Sequence, residues 1–413
     1  MTDSASEHYL ILGAGQAGAE VAATLRKKGF EGRITLVGEE PQPPYRRPPL
    51  SKAFLAGEAE EASLFVLKPE QLAKQRIDFI GGARATSIDR ARHAVTLDDG
   101  RELHYDKLAL TLGGRPRPLP IPGADLANVF LLRNIADVDA IRPNMVEGRR
   151  LCIVGGGFIG LEVAAVARKL GLEVTVVETM ERVLARVTAP VVSRFFERIH
   201  REAGVDVRTG VAVEAFEGGN GSVQRVRLGD GSTLDTDLVI VGIGLIPHVE
   251  LAEAAGLECD NGIKVDEYAR TSDPSIVAAG DCANHPNRFA GGRTRLESVQ
   301  NAMEQARVAA ASMLGEGTAY ENIPWFWSDQ YELKLQMAGL SKDFDDIVLR
   351  GDPESERQFS AFYLREGRLI AADCVARPQD FMFAKKLITT GVAPDVAKLA
   401  DAEVPLKELI PPG

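Results

Sequence analysis

A chain that twice runs strand, Gly-x-Gly-x-x-Gly, helix, strand and acid has few folds open to it. The first copy spans residues 9–39. Tyr9-Leu10-Ile11-Leu12 is a short apolar run that enters Gly13-Ala14-Gly15-Gln16-Ala17-Gly18. Residues 19–28 carry apolar side chains at helical spacing, Gly29 closes that helix, and Ile34-Thr35-Leu36-Val37 reads as the next strand. The glycines have separate tasks: Gly13 allows the tight turn, Gly15 lets backbone approach a pyrophosphate, and Gly18 lets helix and strand pack closely. The helix N-terminus points unpaired N–H groups at the phosphates, so no basic side chain is needed. Glu39 follows Gly18 by about twenty residues, where this fingerprint places an acid for ribose hydroxyls.

The second copy starts at Arg150. Leu151-Cys152-Ile153-Val154 is a strand, and Gly155-Gly156-Gly157-Phe158-Ile159-Gly160 supplies the glycines. Residues 161–170 read as a helix ended by Gly171, and Val174-Thr175-Val176-Val177 delivers Glu178. Two such units hold two dinucleotides, and the ordinary pair is FAD with a nicotinamide nucleotide. A carboxylate at Glu178 accepts from a ribose 2′-OH and repels a 2′-phosphate; the nearest downstream basic residue, Arg182, is four positions on. NADH is therefore favoured over NADPH.

Composition narrows the classes. The 413 residues, 45% of them hydrophobic, suggest two or three domains with real cores. A net charge of −11 does not suggest a nucleic-acid partner, although it leaves room for a local basic patch. Residues 1–8 are polar with no apolar signal region, and no apolar run approaches the ~20 residues of a membrane span. Cys152, Cys259, Cys282 and Cys374 are scattered, with no C-x-x-C and no metal-ligand spacing. These features point to a soluble, reduced, cytoplasmic protein.

Between the two copies, Pro41-Gln42-Pro43-Pro44-Tyr45-Arg46-Arg47-Pro48-Pro49-Leu50-Ser51-Lys52 reads as a stiff loop that could run past a ligand at the strand ends. Lys52 is either a functional cation there or a solvated lysine opening the next helix. Residues 77–97 look like short strands, and 105–114 an apolar strand entering a glycine turn. The proline-rich stretch 115–123 is the first domain boundary. Residues 206–234 alternate in short strands, and 238–241 is a buried-type strand opening Gly242-Ile243-Gly244, where the chain should return to the first domain. Residues 271–281 form another apolar strand ending in Gly280-Asp281. Asp281 could accept from sugar or ribityl hydroxyls or simply cap the next helix. Residues 299–314 read as a helix. From Pro324 both tryptophans, Trp325 and Trp327, cluster with Phe326 and Tyr331, and strand-like segments then precede a helix near 380–390, as in a separate α+β domain.

What is missing is also informative. Flavoproteins of this double plan often pass electrons to a redox-active cysteine near the flavin. Here the first cysteine is Cys152, inside the second copy's strand, and the proline loop with Lys52 stands where such enzymes carry a thiol. There is no H-E-x-x-H, G-x-S-x-G or P-loop, and hydride transfer between nicotinamide and flavin demands no side-chain acid or base. Electrons reaching a flavin here have no thiol to go to.

With these residues in view, the chain resembles the FAD-dependent ferredoxin reductases of oxygenase systems over nearly its whole length. The resemblance rests on Gly13-Ala14-Gly15-Gln16-Ala17-Gly18, Pro48-Pro49-Leu50-Ser51-Lys52, Gly113-Gly114-Arg115-Pro116-Arg117-Pro118 and residues 155–162. It extends through Asp260-Asn261-Gly262, residues 271–282, Glu297-Ser298-Val299 and the long Pro324-Trp325-Phe326-Trp327-Ser328-Asp329-Gln330-Tyr331-Glu332. It implies an α/β fold on the glutathione-reductase-like plan: two Rossmann-like dinucleotide-binding domains plus a C-terminal α+β domain. The FAD domain would comprise residues 1–114 and 247–322, the NADH domain 115–246 and the last domain 323–413.

By motif, the resemblance implies FAD contacts from Gly13, Gly15, Ala17, Gly18, Glu39, Lys52, Ala85, Arg133, Asp281 and Val299, with Trp327 close to the ring. It implies NADH contacts from Gly155, Gly157, Phe158, Ile159, Gly160, Glu178, Gly242 and Gly244. Glu162 would approach the nicotinamide and pair with Lys52, a cation suited to stabilising anionic reduced flavin. Phe158, where the family often has tyrosine, and Gln16 are small departures. The implied activity takes hydride from NADH to FAD and passes electrons singly to a [2Fe–2S] ferredoxin feeding a cytochrome P450 or ring-hydroxylating oxygenase. An acidic ferredoxin would need a basic docking surface, for which Arg293, Arg295, Arg307, Lys385, Lys386 and Lys407 are candidates and ordinary solvated charges the alternative. Two other classes stay open: a reductase of a small acceptor such as a quinone or monodehydroascorbate, and a non-enzymatic NADH-binding signalling flavoprotein of the apoptosis-inducing-factor type.

Overall fold

The structure is a computed structural model that describes residues 6–409; the first five residues of the polar N-terminal stretch lie outside it. The chain divides into two compact units. The first takes the chain to Arg46, then Glu61–Arg115 and Ile246–Trp325; the second takes Arg47–Glu60, Pro116–Leu245 and the chain from Phe326.

The first unit is built on a parallel sheet in the order Ile276–Ala278, Lys107–Leu110, His8–Leu12, Arg33–Gly38, Ile77–Gly81. Its central strands are apolar at nearly every position because both faces are covered. Alternate residues serve alternate faces. Tyr9, Ile11, Ala109 and Val277 pack with helices Gln16–Lys27 and Val299–Met313, whose Ala19, Ala22, Ala306 and Ala309 are fully buried or nearly so. Leu10, Leu12, Leu108 and Ile276 pack on the other side with Ile88, Val95 and Leu97 of a small antiparallel sheet.

The second unit repeats the device. Its parallel sheet runs Asp206–Thr209, Glu173–Glu178, Arg150–Val154, Leu238–Val241, Val129–Leu131, and the helix Phe158–Lys169 follows its central strand. This unit also holds a five-stranded C-terminal sheet, ordered Trp325–Gln330, Leu333–Gly339, Arg368–Val375, Phe359–Arg365, Asp346–Arg350, with helix Pro378–Thr390 burying Phe381, Ala384 and Leu387. Inside the unit, the hydroxyl of Tyr363 in that sheet accepts from the backbone N–H of Ala189, the residue that starts helix Pro190–Glu202. Among the described residues no helix is long and apolar enough to cross a membrane.

Local readings are adjusted at two places. The proline loop is not irregular throughout: Pro48–Ser51 forms a 3-10 turn, since proline is tolerated in a first helical turn where its missing N–H has no partner to lose. Asp281 caps no helix, because the next element is the strand Ala283–Asn287; the helix after it, Val299–Met313, is capped by Ser298, whose side chain accepts from the N–H of Asn301.

His200, on helix Pro190–Glu202, is fully buried, and burial pulls its imidazole down to about 4 despite a hydrogen bond to Gln330 that works the other way. An unfolded imidazole takes its proton near 6.5, so between 6.5 and 4 the unfolded chain holds more protons and the buried ring costs stability as pH falls. The integrated cost is about 3 kcal/mol at most. Asp373, fully buried and raised to about 7 by desolvation, works oppositely over the same range. Comparing variants separates the two. The stability gap between the wild type and His200→Gln, read from urea unfolding, should shrink by up to about 3 kcal/mol from pH 7 to pH 4; a constant gap would show that the ring titrates normally.

Candidate functional site

In the first unit the glycine loop has the shape a pyrophosphate needs. Gly13 adopts a φ of +106°, and a Cβ there would lie 2.2 Å from the carbonyl oxygen of Thr111. A Cβ on Gly18 would lie 2.0 Å from the carbonyl oxygen of Gly13, so turn and helix can close only on glycine. Gly15, by contrast, has no protein atom within 4 Å of where its Cβ would be, and it caps helix Gln16–Lys27 without a side-chain partner. Backbone N–H groups therefore face open space at a helix N-terminus, the arrangement that binds a phosphate.

The first unit's other residues implied for this ligand lie near that loop to different degrees. Gly280, just before Asp281, approaches Ala17 and Ala302 so closely that a Cβ would lie 3.2 and 3.8 Å from theirs, which brings the Gly280-Asp281 turn and the helix begun by Val299 to the start of helix Gln16–Lys27. The amide N–H of Gly280 donates to Gln305 Oε1 at 2.9 Å, and the carbonyl of Asp281 accepts from Arg295 at 3.1 Å. Glu39 is exposed at the end of strand Arg33–Gly38, next to the turn in which Ala83 N–H donates to the carbonyl of Gly38 at 3.0 Å; Ala85 opens the strand that comes after. Lys52 and Arg133 belong to the second unit.

The second unit's loop has the same geometry. Gly155 has a φ of +109° and faces the carbonyl oxygen of Gly242, where a Cβ would sit at 2.4 Å; this joins the two implied glycine turns. A Cβ on Gly160 would be 2.1 Å from the carbonyl oxygen of Gly155, while Gly157 and Gly244 face open space. Phe158 is half-buried against Phe326 with ring centroids 4.6 Å apart, and Ile159 is exposed. Glu178 folds back on the loop: its Oε2 accepts from Gly156 N–H at 2.7 Å and its Oε1 from Met180 N–H at 2.9 Å. Arg182 turns away into its own loop, donating to Ser193 Oγ at 2.6 Å and to the carbonyl of Thr188 at 2.9 Å.

Glu162 lies on helix Phe158–Lys169, only 4% exposed. Lys52, which ends the 3-10 turn, donates to its Oε2 at 2.6 Å, as does the hydroxyl of Ser51 at 2.6 Å, while Ser328 Oγ donates to Oε1 at 2.7 Å. Both carboxylate oxygens are thus satisfied. Lys52 is not a solvated surface lysine, its side chain being 21% exposed. Trp327, half-buried on the strand that also carries Ser328, lies 6.4 Å from Phe326 by ring centroids. Sequence reasoning missed Ser51 and Ser328 as partners although both stand inside the two most distinctive motifs; nothing marked His200, which belongs to an otherwise ordinary amphipathic helix.

All four cysteines are free, and none is poised as a nucleophile. Burial pushes Cys152 up to about 12 and Cys282 up to about 11, and drives Cys374 upward as well; partly buried Cys259 rises to about 11. Of the basic residues considered for docking, Arg293 donates to the carbonyls of Val265 and Asn284, Arg295 pairs with Glu297 and Arg307 with Glu20. Lys385 lies over the Phe381 ring, and Lys386 and Lys407 are exposed.

Comparison with known proteins places this geometry. The family model described as pyridine nucleotide-disulphide oxidoreductase matches residues 7–306, and a second, described as reductase C-terminal, matches 325–410. The chain is 49% identical over 412 residues to putidaredoxin reductase of Pseudomonas putida, covering 98% of this chain and 97% of that one. It is 45% identical to rhodocoxin reductase of Rhodococcus erythropolis, over 96% of this chain and 93% of the other. Among solved structures, that of a covalent putidaredoxin reductase–putidaredoxin complex matches at 48% identity with a TM-score of 0.95, covering 98% of both chains.

Gly15 and Gly18 should respond differently to the same added methyl. Gly18→Ala meets backbone at 2.0 Å and should cost stability by about 1–3 kcal/mol or prevent folding. Gly15→Ala meets no protein atom, so the cofactor-free protein should melt within about 1 kcal/mol of wild type while flavin affinity falls about tenfold or more. Thermal unfolding and flavin titration read both; a Gly15→Ala protein that purifies fully flavinated would remove this glycine from the cradle.

Proposed function

The chain belongs to the pyridine nucleotide-disulphide oxidoreductase family, and we propose that it is an FAD-dependent NADH:ferredoxin oxidoreductase, reducing a [2Fe–2S] ferredoxin that feeds a cytochrome P450 or a ring-hydroxylating oxygenase. The observation that carries this reading is the Lys52–Glu162 pair, 2.6 Å apart, in a chain with two dinucleotide cradles and no reactive thiol. Bound FAD supplies the chemistry that takes two electrons as hydride and releases them singly. With no cysteine pair to receive them, the electrons would leave from the flavin itself. The solved reductase–putidaredoxin complex and the relatives named as reductases of redox proteins support a ferredoxin as their acceptor.

In this reading the first unit's Gly13, Gly15, Ala17, Gly18, Glu39, Ala85, Asp281 and Val299, with Lys52 and Arg133, hold FAD. Gly155, Gly157, Phe158, Ile159, Gly160, Glu178, Gly242 and Gly244 hold NADH. Lys52 presents an ammonium whose charge Glu162 keeps in place, and Trp327 would sit close to the flavin ring. Glu178 favours NADH: its carboxylate stands by the Gly156 amide, and Arg182, the side chain best placed by sequence to welcome a 2′-phosphate, is committed elsewhere. Of the six docking candidates, Arg293 and Arg295 already brace neighbouring backbone, which shifts the weight to Arg307, Lys385, Lys386 and Lys407.

Stopped-flow absorbance at the flavin band tests this. Bleaching should be fast with NADH and slower with NADPH, and re-oxidation should require added ferredoxin. Lys52→Met should slow bleaching by at least about tenfold, the loss of one charge-assisted interaction at the reacting centre. Equally fast re-oxidation by air or a quinone would instead identify a small-acceptor reductase.

A further inference from the structure

Behind Glu162 a line of buried polar side chains runs on through the second unit. Ser328 Oγ, which donates to Glu162 Oε1 at 2.7 Å, accepts from Gln330 Nε2 at 3.2 Å. Gln330 Oε1 lies 2.9 Å from His200 Nε2, and His200 Nδ1 lies 3.1 Å from the hydroxyl of Tyr331. Ser328 and His200 are fully buried and Gln330 is 1% exposed. The four residues beyond Glu162 come from the strand Trp325–Gln330, the residue after it, and helix Pro190–Glu202.

We propose that Ser328, Gln330 and His200 form a one-way hydrogen-bond relay that holds the Glu162 carboxylate against Lys52, with His200 as its outer positioning residue. The direction follows from donor chemistry alone. A carboxylate paired with an ammonium only accepts, so Ser328 must spend its single proton on Glu162. Ser328 can then only accept from Gln330, which sets the amide with its NH2 toward Ser328 and its oxygen toward His200. That oxygen needs a donor, so His200 carries its proton on Nε2, and Nδ1 is left to accept from Tyr331. Burial keeps the ring neutral and pushes the Tyr331 phenol up to about 12, so neither end competes with this order. Reversing any member turns two lone pairs toward each other in a water-excluded place, where an unsatisfied group is costly. The amide of Gln330 does not release a proton near neutrality, so the line positions Glu162 and does not deliver protons to it. Tyr331 sits at a φ of +55°, uncommon for an aromatic residue, and its hydroxyl donates to His200 from beyond the relay's outer end.

The consequence for turnover rests on the reductase reading; the relay itself does not. The test uses the full-length holoprotein with His200→Leu and Gln330→Met, which remove the line, and His200→Gln, whose amide can still donate from the Nε2 position. Four quantities are read: the imidazole tautomer of wild-type His200 by side-chain 15N spectroscopy at pH 7, acylation of Lys52 by acetic anhydride, and the limiting rate and NADH Kd of flavin reduction. The relay requires the Nε2–H tautomer in the wild type. It also requires Lys52 labelling to rise about threefold to tenfold in the Leu and Met variants and to return toward wild type in His200→Gln. The limiting rate should fall about tenfold in the first two while the NADH Kd stays within about twofold, as expected when a group is misplaced but binding is kept. An Nδ1–H tautomer, or Lys52 labelling at the wild-type rate in both disrupted variants, overturns the relay; the tautomer decides the matter if those variants fail to fold. If NADH does not reduce the wild-type flavin, the reductase reading falls and the tautomer and the labelling still judge the relay.

Discussion

A carboxylate that is 4% exposed has to be answered by donors, and much of the second unit is arranged to answer Glu162. Removing an ion from water costs several kcal/mol, recovered only where an opposite charge and further hydrogen bonds meet it with good geometry. Lys52, Ser51 and Ser328 provide these within 2.7 Å. Each comes from a distant part of the chain, so the demand of one side chain draws the proline turn and the C-terminal sheet to the helix after the second glycine loop. With the bonds of Arg47 to the Arg133 carbonyl, of Arg142 to the Phe54 carbonyl and of Lys169 to Glu58, it ties Arg47–Glu60 to the second unit although the segment follows the first unit's second strand in sequence. Pro48 and Pro49 stiffen the turn that presents Ser51 and Lys52, lowering the entropy lost when both are held.

The two glycine cradles show how one backbone device can be tuned by the acid that comes after it. In both, the first and last glycines are demanded by protein atoms, and the middle one is demanded by nothing in the protein, which is the mark of a position shaped for a ligand. The acids differ. Glu39 is exposed after its strand, whereas Glu178 is already bonded to Gly156 and Met180 N–H groups. A carboxylate fixed by two amides is a preorganised acceptor, the part that the proposed reading gives Glu178 toward a ribose hydroxyl.

Most of the fold was legible because its signals are local. Period-2 and period-3.6 patterns with glycine punctuation identify both parallel sheets and their helices, and the composition change at Pro324 marks the C-terminal sheet. The boundaries that slipped are those where a local preference has two outcomes. Proline excludes a helix interior but not a first turn, so Pro48–Ser51 winds once; an aspartate after glycine suits a helix cap, but Asp281 lies in the turn that leads into the strand Ala283–Asn287. The cradles were legible for the same reason, each being a contiguous motif. Around Glu162 only the pairing with Lys52 was anticipated, through the family resemblance; Ser328, Gln330 and His200 were not, since they lie more than 30 residues away from it in sequence and each, read alone, is an ordinary polar residue. Only packing brings them together.

The family takes its description from disulphide chemistry, yet the four cysteines of this chain are all free and none is held as a thiolate. A thiol near a flavin is useful when it is a thiolate, which requires a neighbouring cation or helix N-terminus and some exposure. Here Cys152, Cys282 and Cys374 are sealed in cores that push them the other way, and Cys259, though partly accessible, rises as well. Lys52 instead presents a fixed positive charge that Glu162 compensates and holds. A cation cannot store electrons as a thiol pair can, but it can stabilise negative charge on whatever stores them beside it. In the proposed reading, Lys52 braced by Glu162 would supply that charge, and electrons would leave from the bound cofactor to an external acceptor. Without a thiol the internal route is closed, and in the proposed reading the choice of acceptor passes from cysteine chemistry to whatever docks on the protein.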